Sequence, residues 1–570
     1  MAAGVLIGAT LVAYLPAMNG GFVWDDDFHV TANPSLRDAH GLLDIWTDLR
    51  ATPQYYPLTH TTFWLQYRLW GEWTLPYHLL NVLLHACSAV VLWRILLALR
   101  VPGAWLGAAL FALHPVHVES VAWITERKNV LSGLFYLGAA AVYLRWASVP
   151  RDAVGSRSPH AASRSPGERA LPWIAMALFA CALLSKTVTA SLPLALGLVL
   201  GWKRLYSRIV DTTVLGAMLL AGAVMGKLTS LLEQYQIGAV GEPWSFTIVE
   251  RALIAGRAWW FYLGKLVWPA KLAFVYPRWE VDVTAPAQIA FPLAAVVVLL
   301  ATFRLRERLG AGPWVALMLF TVSAAPALGF FDVYPQRYSF VADHFQYLAS
   351  IGPLALLAAS AAWLRGRVAG AGRALSTAIV VAVPVALGGL TLFQAAAYRD
   401  SESLWRHSLA RNPHGPMASF NLAVVLQGKG GSEEPAALYR RALEDEPELV
   451  DAHVNLANLL ASQGRLDSAI EHYREALSIH PALATAHYNL ALALEGRGER
   501  DAALRHYRHA LAIRPDFAEA HNNLAIMLYE TGRYPEAWAS VLRSRELGFE
   551  PHADFVRALR LKIEGSGKEP

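Results

Sequence analysis

The chain has 570 residues, of which 55% are hydrophobic and only 16% charged, with a formal net charge of +5. So little charge excludes an ordinary soluble protein along the whole length, and 20 Trp, 21 Tyr and 21 Phe suit a chain with many lipid–water interfaces, where aromatic rings gather. The basic residues lie in short loops between apolar runs, which argues against a nucleic acid partner, and the two cysteines, Cys87 and Cys181, sit inside such runs and form neither a disulfide framework nor a CxxC pair.

Up to Tyr398 the chain is a series of apolar runs of about 20 residues, the length that crosses a hydrocarbon core. The pattern predicts about eleven spans, at 2–18, 77–99, 101–116, 130–147, 170–184, 187–202, 210–228, 286–302, 312–330, 345–364 and 374–394. The first run lacks a basic n-region and a small-residue cleavage site, so it reads as an uncleaved span. Arg94 and Arg100, then Arg151, Arg157, Arg164 and Arg169, then Lys203, Arg204 and Arg208, then "RLRER" at 304–308 and "RGR" at 365–367 with Arg373 follow alternate spans. Placing them all on the cytoplasmic side puts the N-terminus inside and the loops 19–76, 114–129, Ser185–Thr187, 229–285 and 331–344 outside. The Trp-rich run 250–270 carries Arg251, Arg257 and Lys265 and would break this alternation if it crossed. It reads as a re-entrant or interfacial helix on the outer face, and everything after residue 395 is then outside as well.

The outer loops hold the ionisable clusters. "GGFVWDDDFHVTANP" places Asp25, Asp26 and Asp27 just after the first span. A bare acidic triplet reads first as a solvated stretch; the alternative is a general base or metal ligand beside a lipid-borne substrate. "LFALHPVHVESVAWITERKNVLSGLFYL" packs His114, His117, Glu119, Glu126, Arg127 and Lys128 into one turn between spans, more charge than a turn requires. His114, His117 and Glu119 could ligate zinc, although a proline separates the histidines and no further ligand is evident. In "LLSKTVTASLP", Lys186 is either a snorkelling side chain or a cation for a lipid phosphate. "YPQRYSFVADHFQYLASIGP" brings Asp343 and His344 to the start of a later span.

After Tyr398 the composition changes to a repeat. Asn421, Asn455, Asn489 and Asn523 are 34 residues apart, as are Gly430, Gly464, Gly498 and Gly532, and Pro413, Pro447, Pro481 and Pro515. This is the tetratricopeptide period, in which each unit is a helix pair that buries one face on the next. The expected organisation is a membrane domain at 1–397, half a repeat plus four repeats at 398–551, and a tail at 552–570. The asparagine ladder reads either as hydrogen bonding between repeats or as a clamp on the backbone of an extended peptide, since an amide both donates and accepts.

The blocks "FVWDDDFHVTANP", "YYPLTHTTFWLQYRLWG", "LFALHPVHVESVAWITERKNVLSGLFYLGA", "LLSKTVTASLPLAL", "YLGKLVWPAKLAFVYP" and "FVADHFQYLASIG", in that order and followed by the repeats, resemble bacterial relatives of the transmembrane and tetratricopeptide-repeat O-mannosyltransferases. The resemblance implies an all-α protein: a polytopic GT-C type membrane helix bundle followed by a tetratricopeptide α-solenoid. It implies transfer of a sugar, mannose in the eukaryotic members, from a polyprenyl-phosphate donor to Ser/Thr hydroxyls on the periplasmic side of the inner membrane. The family's paired acidic motif matches Asp25 and Asp26, which makes them the expected catalytic residues and leaves Asp27 without a counterpart. Relatives often have Ala-Asp-Arg-Tyr where this chain has Ala342-Asp343-His344-Phe345, so a phosphate contact there lacks its arginine. Lys186, Arg127 and Lys128 are the expected donor-phosphate ligands, and a divalent cation is a candidate cofactor. The asparagines are the expected acceptor-binding residues. A membrane-anchored repeat scaffold, or a transferase acting on glycan or lipid, is the competing expectation.

Overall fold

The computed structural model describes residues 1–148, 166–206, 208–237, 245–331 and 334–564. Arg151, Arg157 and Arg164 of the orientation argument lie outside the described residues. The described chain is helical, without strands, and separates into two compact units, Met1–Asn412 and Pro413–Pro570.

In the first unit every expected apolar run forms a helix. Six are long and apolar enough to cross a bilayer: Leu75–Ala98, Arg127–Ala147, Gly167–Ser185, Val210–Tyr235, Pro286–Arg304 and Gly370–Tyr398. Ala2–Ala13, Ala104–Leu113, Thr187–Lys203 and Gly312–Ala327 are shorter apolar helices, and the run at 345–364 supplies Ile351–Arg367. Helix Ala104–Leu113 rises only about 15 Å, half the hydrocarbon thickness. His114-Pro115 stops it, and a 3-10 turn at Pro115–His117, a short helix at Val118–Ala122 and an irregular stretch continue to Arg127. That irregular backbone is tolerated because residues 106–133 are buried in protein on all sides. The polar run 114–126 is therefore an internal partition of the bundle and not a surface turn. Helix Ile248–Val267 packs on Pro286–Arg304, where Gly256 lies so close to Pro292 that a Cβ would stand 2.5 Å from its backbone.

The boundary expected at 397/398 falls at 412/413. Helix Ser401–Arg411, read above as the start of the repeats, belongs to the first unit: Trp405 is buried there against Trp24 and Phe274, with ring centroids 5.9 and 5.5 Å away. The second unit holds four helix pairs, Pro416–Gly428 with Glu433–Asp445, Val450–Ser462 with Leu466–Ile479, Ala484–Gly496 with Arg500–Ile513, and Ala518–Glu530 with Tyr534–Glu546. The expected tail instead forms helix Ala553–Glu564, whose Val556, Leu559 and Ile563 cover the last pair. An array must cap its final apolar face, and this helix does so. Tyr439, Tyr473 and Tyr507 are buried between helices, and their hydroxyls donate to Gln427, Asn458 and Glu495.

The 34-residue glycine spacing has a backbone cause. Gly430, Gly464, Gly498 and Gly532 have φ between 75° and 86°, the left-handed region that costs an L-residue about 1–2 kcal/mol. Open space surrounds Gly498, so Gly498→Ala is expected to destabilise the array by about 1 kcal/mol through φ alone. This is measurable as a lowered thermal midpoint of residues 413–564.

Candidate active site

The three aspartates have three different environments. Trp24 holds φ at 49°, unusual for a bulky residue, and is pinned there by stacking on Trp123 at 5.5 Å and by edge contacts with Phe274 and Trp405. Beyond that turn Asp26 is fully buried. One of its oxygens accepts from the Val23 amide at 2.8 Å, the other from the Thr125 amide at 2.8 Å and the Thr125 hydroxyl at 2.5 Å. Asp26 thus clasps the first loop to the partition. Asp25 keeps 26% of its side chain exposed; its Oδ1 is enclosed without a hydrogen-bond partner, and its Oδ2 lies 3.7 Å from His29 Nε2. Asp27 is exposed and accepts from the Thr31 hydroxyl at 2.7 Å, within a π-helical turn, Asp27–Thr31. Burial raises the Asp25 carboxyl to about 6, opposed by Lys128 and reinforced by Glu126. Burial, with the charge of Asp25, raises Asp26 to about 7 against its three donors.

His29 and His60 were not singled out from the sequence as site residues. Their rings stack, with His29 Nδ1 3.2 Å from His60 Nε2, and His60 Nδ1 lies 3.2 Å from the Tyr56 carbonyl oxygen. A carbonyl only accepts, so His60 Nδ1 carries the proton and His60 Nε2 accepts. His29 Nδ1 must then donate, which leaves His29 Nε2 unprotonated and facing Asp25. Burial holds both imidazoles below their ordinary range, His60 at about 4. The only sequence signal was the four-residue step from Asp25 to His29, and the second histidine lies 31 residues further on.

Beside the aspartates, Glu126 is buried and holds two cations: Lys128 Nζ lies 3.1 Å from Oε1 and Lys186 Nζ 3.1 Å from Oε2. Lys128 also donates to Gln54 Oε1 at 3.2 Å, and Gln54 in turn donates to Glu233. Burial alone would raise the Glu126 carboxyl, but the two ammonium groups hold it well below the carboxylate range. Burial lowers Lys186 to about 8 in spite of Glu126. The two ammonium groups hold one carboxylate between them and keep 10% and 14% of their side chains accessible.

Arg127, expected beside these lysines, points away. It is fully buried, with Nε on Asn81 at 2.8 Å, Nη2 on the Tyr77 carbonyl at 2.8 Å, Nη1 on Gln66 and Thr62, and its plane over Phe63. Adjacent positions at a helix start face about 100° apart, so Lys128 reaches the site while Arg127 ties three helices together.

The zinc set does not assemble. His114 bonds the Leu266 carbonyl and the Val116 amide, and His117 bonds the Phe111 carbonyl and Ser350, which occupies both ring nitrogens of each. Glu119 clamps His344 instead, at 2.9 Å to Nδ1 and 3.0 Å to the backbone amide. No group of three metal-ligating side chains occurs among the described residues. Asp343 accepts from the Tyr276 hydroxyl at 3.0 Å, and burial with the Glu119 charge raises its carboxyl. His344 lies close enough for its charge to bear on both Asp25 and Glu126. The structure therefore brings Asp25, Asp26, His29, Glu126, Lys128, Lys186 and His344 together, with Trp24, Trp123 and Phe274 as an aromatic wall, and leaves Arg127, His114 and His117 in supporting positions. In the second unit the asparagines are half-buried. Asn421 donates to the Met417 carbonyl of its own helix, Asn455 bonds Tyr439, Asn489 donates to Asn458, and Asn523 to the Tyr488 hydroxyl. Three of the four thus link one repeat to the one before.

Comparison with known proteins gives matches to a TPR repeat model over residues 457–498 and 496–532 and to a Tetratricopeptide repeat model over 438–471. Protein O-mannosyl-transferase F38B6.6 of Caenorhabditis elegans is 32% identical over 155 residues, 25% of this chain and 22% of that protein. Protein O-mannosyl-transferase TMTC3 of Homo sapiens is 32% identical over 151 residues, 25% of this chain and 16% of that protein. The chain therefore matches less than a quarter of the length of these curated relatives. The solved structure of MamA aligns at 18% identity over 26% of this chain and 85% of MamA, with a TM-score of 0.25. Over about a quarter of its length the chain is similar to TMTC protein O-mannosyl-transferases, and it carries tetratricopeptide repeats.

Arg127→Ala strands buried acceptors on Asn81, Gln66 and Tyr77, each costing about 1–3 kcal/mol. The variant is expected to melt well below the parent in detergent, whereas Asp27→Ala, which removes one exposed bond, is expected to melt within a degree or two of it.

Proposed function

We propose that this chain is a membrane glycosyltransferase that moves a sugar, mannose, from a polyprenyl-phosphate donor to a hydroxyl group, serine or threonine of a protein, on the periplasmic side of the inner membrane. The observation that carries the reading is Asp25. Its carboxylate has one enclosed oxygen without a partner and is raised by burial to about 6 against the charge of Lys128, which with Lys186 is held on Glu126. A carboxylate of that kind suits a general base, and two partly accessible ammonium groups suit a phosphate leaving group. The relation to protein O-mannosyl-transferases supports the sugar and the acceptor class.

In this mechanism Asp25 takes the proton of the acceptor hydroxyl, and the oxygen attacks the anomeric carbon from the side opposite the phosphate. The C–O bond to phosphate breaks, and the lipid phosphate leaves with the electron pair. A single displacement inverts the anomeric centre. Lys128 and Lys186 stabilise the departing phosphate, with Glu126 fixing both ammonium groups in place. Asp26, already accepting three hydrogen bonds, holds the loop, and burial with the charge of Asp25 keeps its own carboxyl protonated to higher pH. A divalent cation fits poorly here, since Asp26 has both oxygens committed and Glu126 is saturated by lysines. No step is assigned to one.

The repeats hold the acceptor chain in this reading. Asn421, Asn455, Asn489 and Asn523 keep part of each amide accessible, and these positions supply donors and acceptors to a peptide backbone. Asn455→Ala combined with Asn489→Ala is expected to weaken capture of an unfolded acceptor peptide by about tenfold, the loss of one to two net hydrogen bonds. An unchanged dissociation constant would remove the ladder from acceptor binding.

Sugar transfer from labelled polyprenyl-phosphate mannose tests the chemistry. Asp25→Asn is expected to lower turnover by about 10²–10⁴-fold, the contribution of a positioned base, without lowering the melting temperature, whereas Asp26→Asn is expected to lower both. The parent kcat/KM is expected to be bell-shaped. It rises as Asp25 loses its proton near pH 6 and falls as Lys186 loses its charge near pH 8. Lys186→Arg should carry the alkaline limb upward.

A further inference from the structure

The half of the bundle remote from Asp25 contains a feature that sugar transfer does not use. Helix Leu75–Ala98 begins at Thr74, whose hydroxyl bonds the Gly20 carbonyl beside the aspartates, and ends next to Arg100. Around that far end lies a cavity of about 680 Å³, within the size range of sites that hold a small molecule. Five helices wall it, contributing Leu96, Leu144, Leu196, Leu319 and Leu356 among others, and Tyr136 and Ser323 stand at its deep end. Its lining is overwhelmingly apolar, which suits an acyl chain.

Its mouth is the opposite in character. Arg100, Arg308 and Arg367 line it, and they come from three separate parts of the chain. Arg367 lies flat over Trp363, 3.9 Å from the ring centroid, and Lys203 sits over Trp202 within electrostatic reach of Arg100. Among the described residues no carboxylate forms an ion pair with any of these four cations. Four like charges gathered at one opening repel one another, and an anion placed between them would relieve that repulsion.

We propose that this cavity is a binding site for one anionic phospholipid of the leaflet opposite the candidate active site, with acyl chain in the apolar cavity and phosphate among Arg100, Lys203, Arg308 and Arg367. Its polarity is the membrane analogue of a fatty-acid site: hydrocarbon inside, guanidinium groups at the rim. The occupant is a glycerophospholipid and not the polyprenyl-phosphate donor because the lysines suited to the donor phosphate, Lys128 and Lys186, lie at the other end of the bundle. A bound lipid would join the far ends of five helices that otherwise enclose a void, and so would stabilise the whole first unit by mass action. The site stands whether or not the chain transfers a sugar.

The test uses the full chain, delipidated in detergent and titrated with dioleoyl phosphatidylglycerol or dioleoyl phosphatidylcholine, with native mass spectrometry and thermal melting as readouts. The parent is expected to retain one phosphatidylglycerol per chain, to prefer it over phosphatidylcholine by about tenfold, as for one charge-assisted contact, and to melt higher when it is bound. Arg100→Ala, Arg308→Ala and Arg367→Ala together should abolish the headgroup preference while leaving the fold intact. Ala359→Trp, which fills the cavity, should lower occupancy by both lipids. An equal preference in the parent and the triple variant would overturn the proposal, as would retention of polyprenyl phosphate in place of phosphatidylglycerol. Neither readout depends on sugar transfer, so its failure and that of the transferase reading are separable.

Discussion

A carboxylate buried at the edge of a bilayer must be paired, and Glu126 is where this chain meets that constraint. Its two oxygens hold Lys128, at the start of one long apolar helix, and Lys186, between two others. Either lysine alone would balance the charge. Two of them join separate parts of the bundle, and both are still partly accessible. The energetic logic of buried ion groups usually makes them neutral or costly for stability. Here the cost is tied to a chemical capacity, since a preorganised pair of ammonium groups can meet a phosphate without having to be gathered from water.

The same partition supplies the second clasp. Thr125, next to Glu126, donates from both its amide and its hydroxyl to Asp26, so the loop bearing the aspartates is fixed to the stretch that carries Glu126 through consecutive residues. Trp24 and Trp123 stack beside this junction, and Glu119 anchors the turn at His344 a few residues earlier. Residues 106–133 thus do what a surface loop cannot. Enclosed by helices, they present charged side chains at fixed positions in a region of low dielectric, where each charge counts for more.

Neighbouring residues repeatedly take opposite tasks. Asp25 has an oxygen without a partner, whereas Asp26 is saturated. Lys128 faces the aspartates, whereas Arg127 is spent on Asn81, Gln66 and Tyr77. In the repeats, one asparagine bonds within its own helix and three reach to neighbours. Composition and spacing treat each of these sets as equivalent; direction of the side chain separates them.

Sequence by itself determined the architecture: apolar runs of the right length are helices because no other backbone satisfies its hydrogen bonds in hydrocarbon, and a 34-residue period of glycine and tyrosine fixes helix pairs because only glycine takes the left-handed turn cheaply. It also singled out the segments around Asp25, Glu126, Lys186 and His344, which the fold brings together, since charge so close to an apolar run has few structural uses. What it could not decide were the roles. The zinc set weighed for His114, His117 and Glu119 diverges, the expected phosphate ligand Arg127 is turned inward, the histidine pair His29 and His60 is assembled from positions 31 residues apart, and the first unit keeps Trp405 and the helix that carries it. Each of these depends on which way a side chain points once distant segments have packed, and that direction is set by tertiary contacts that no local pattern encodes.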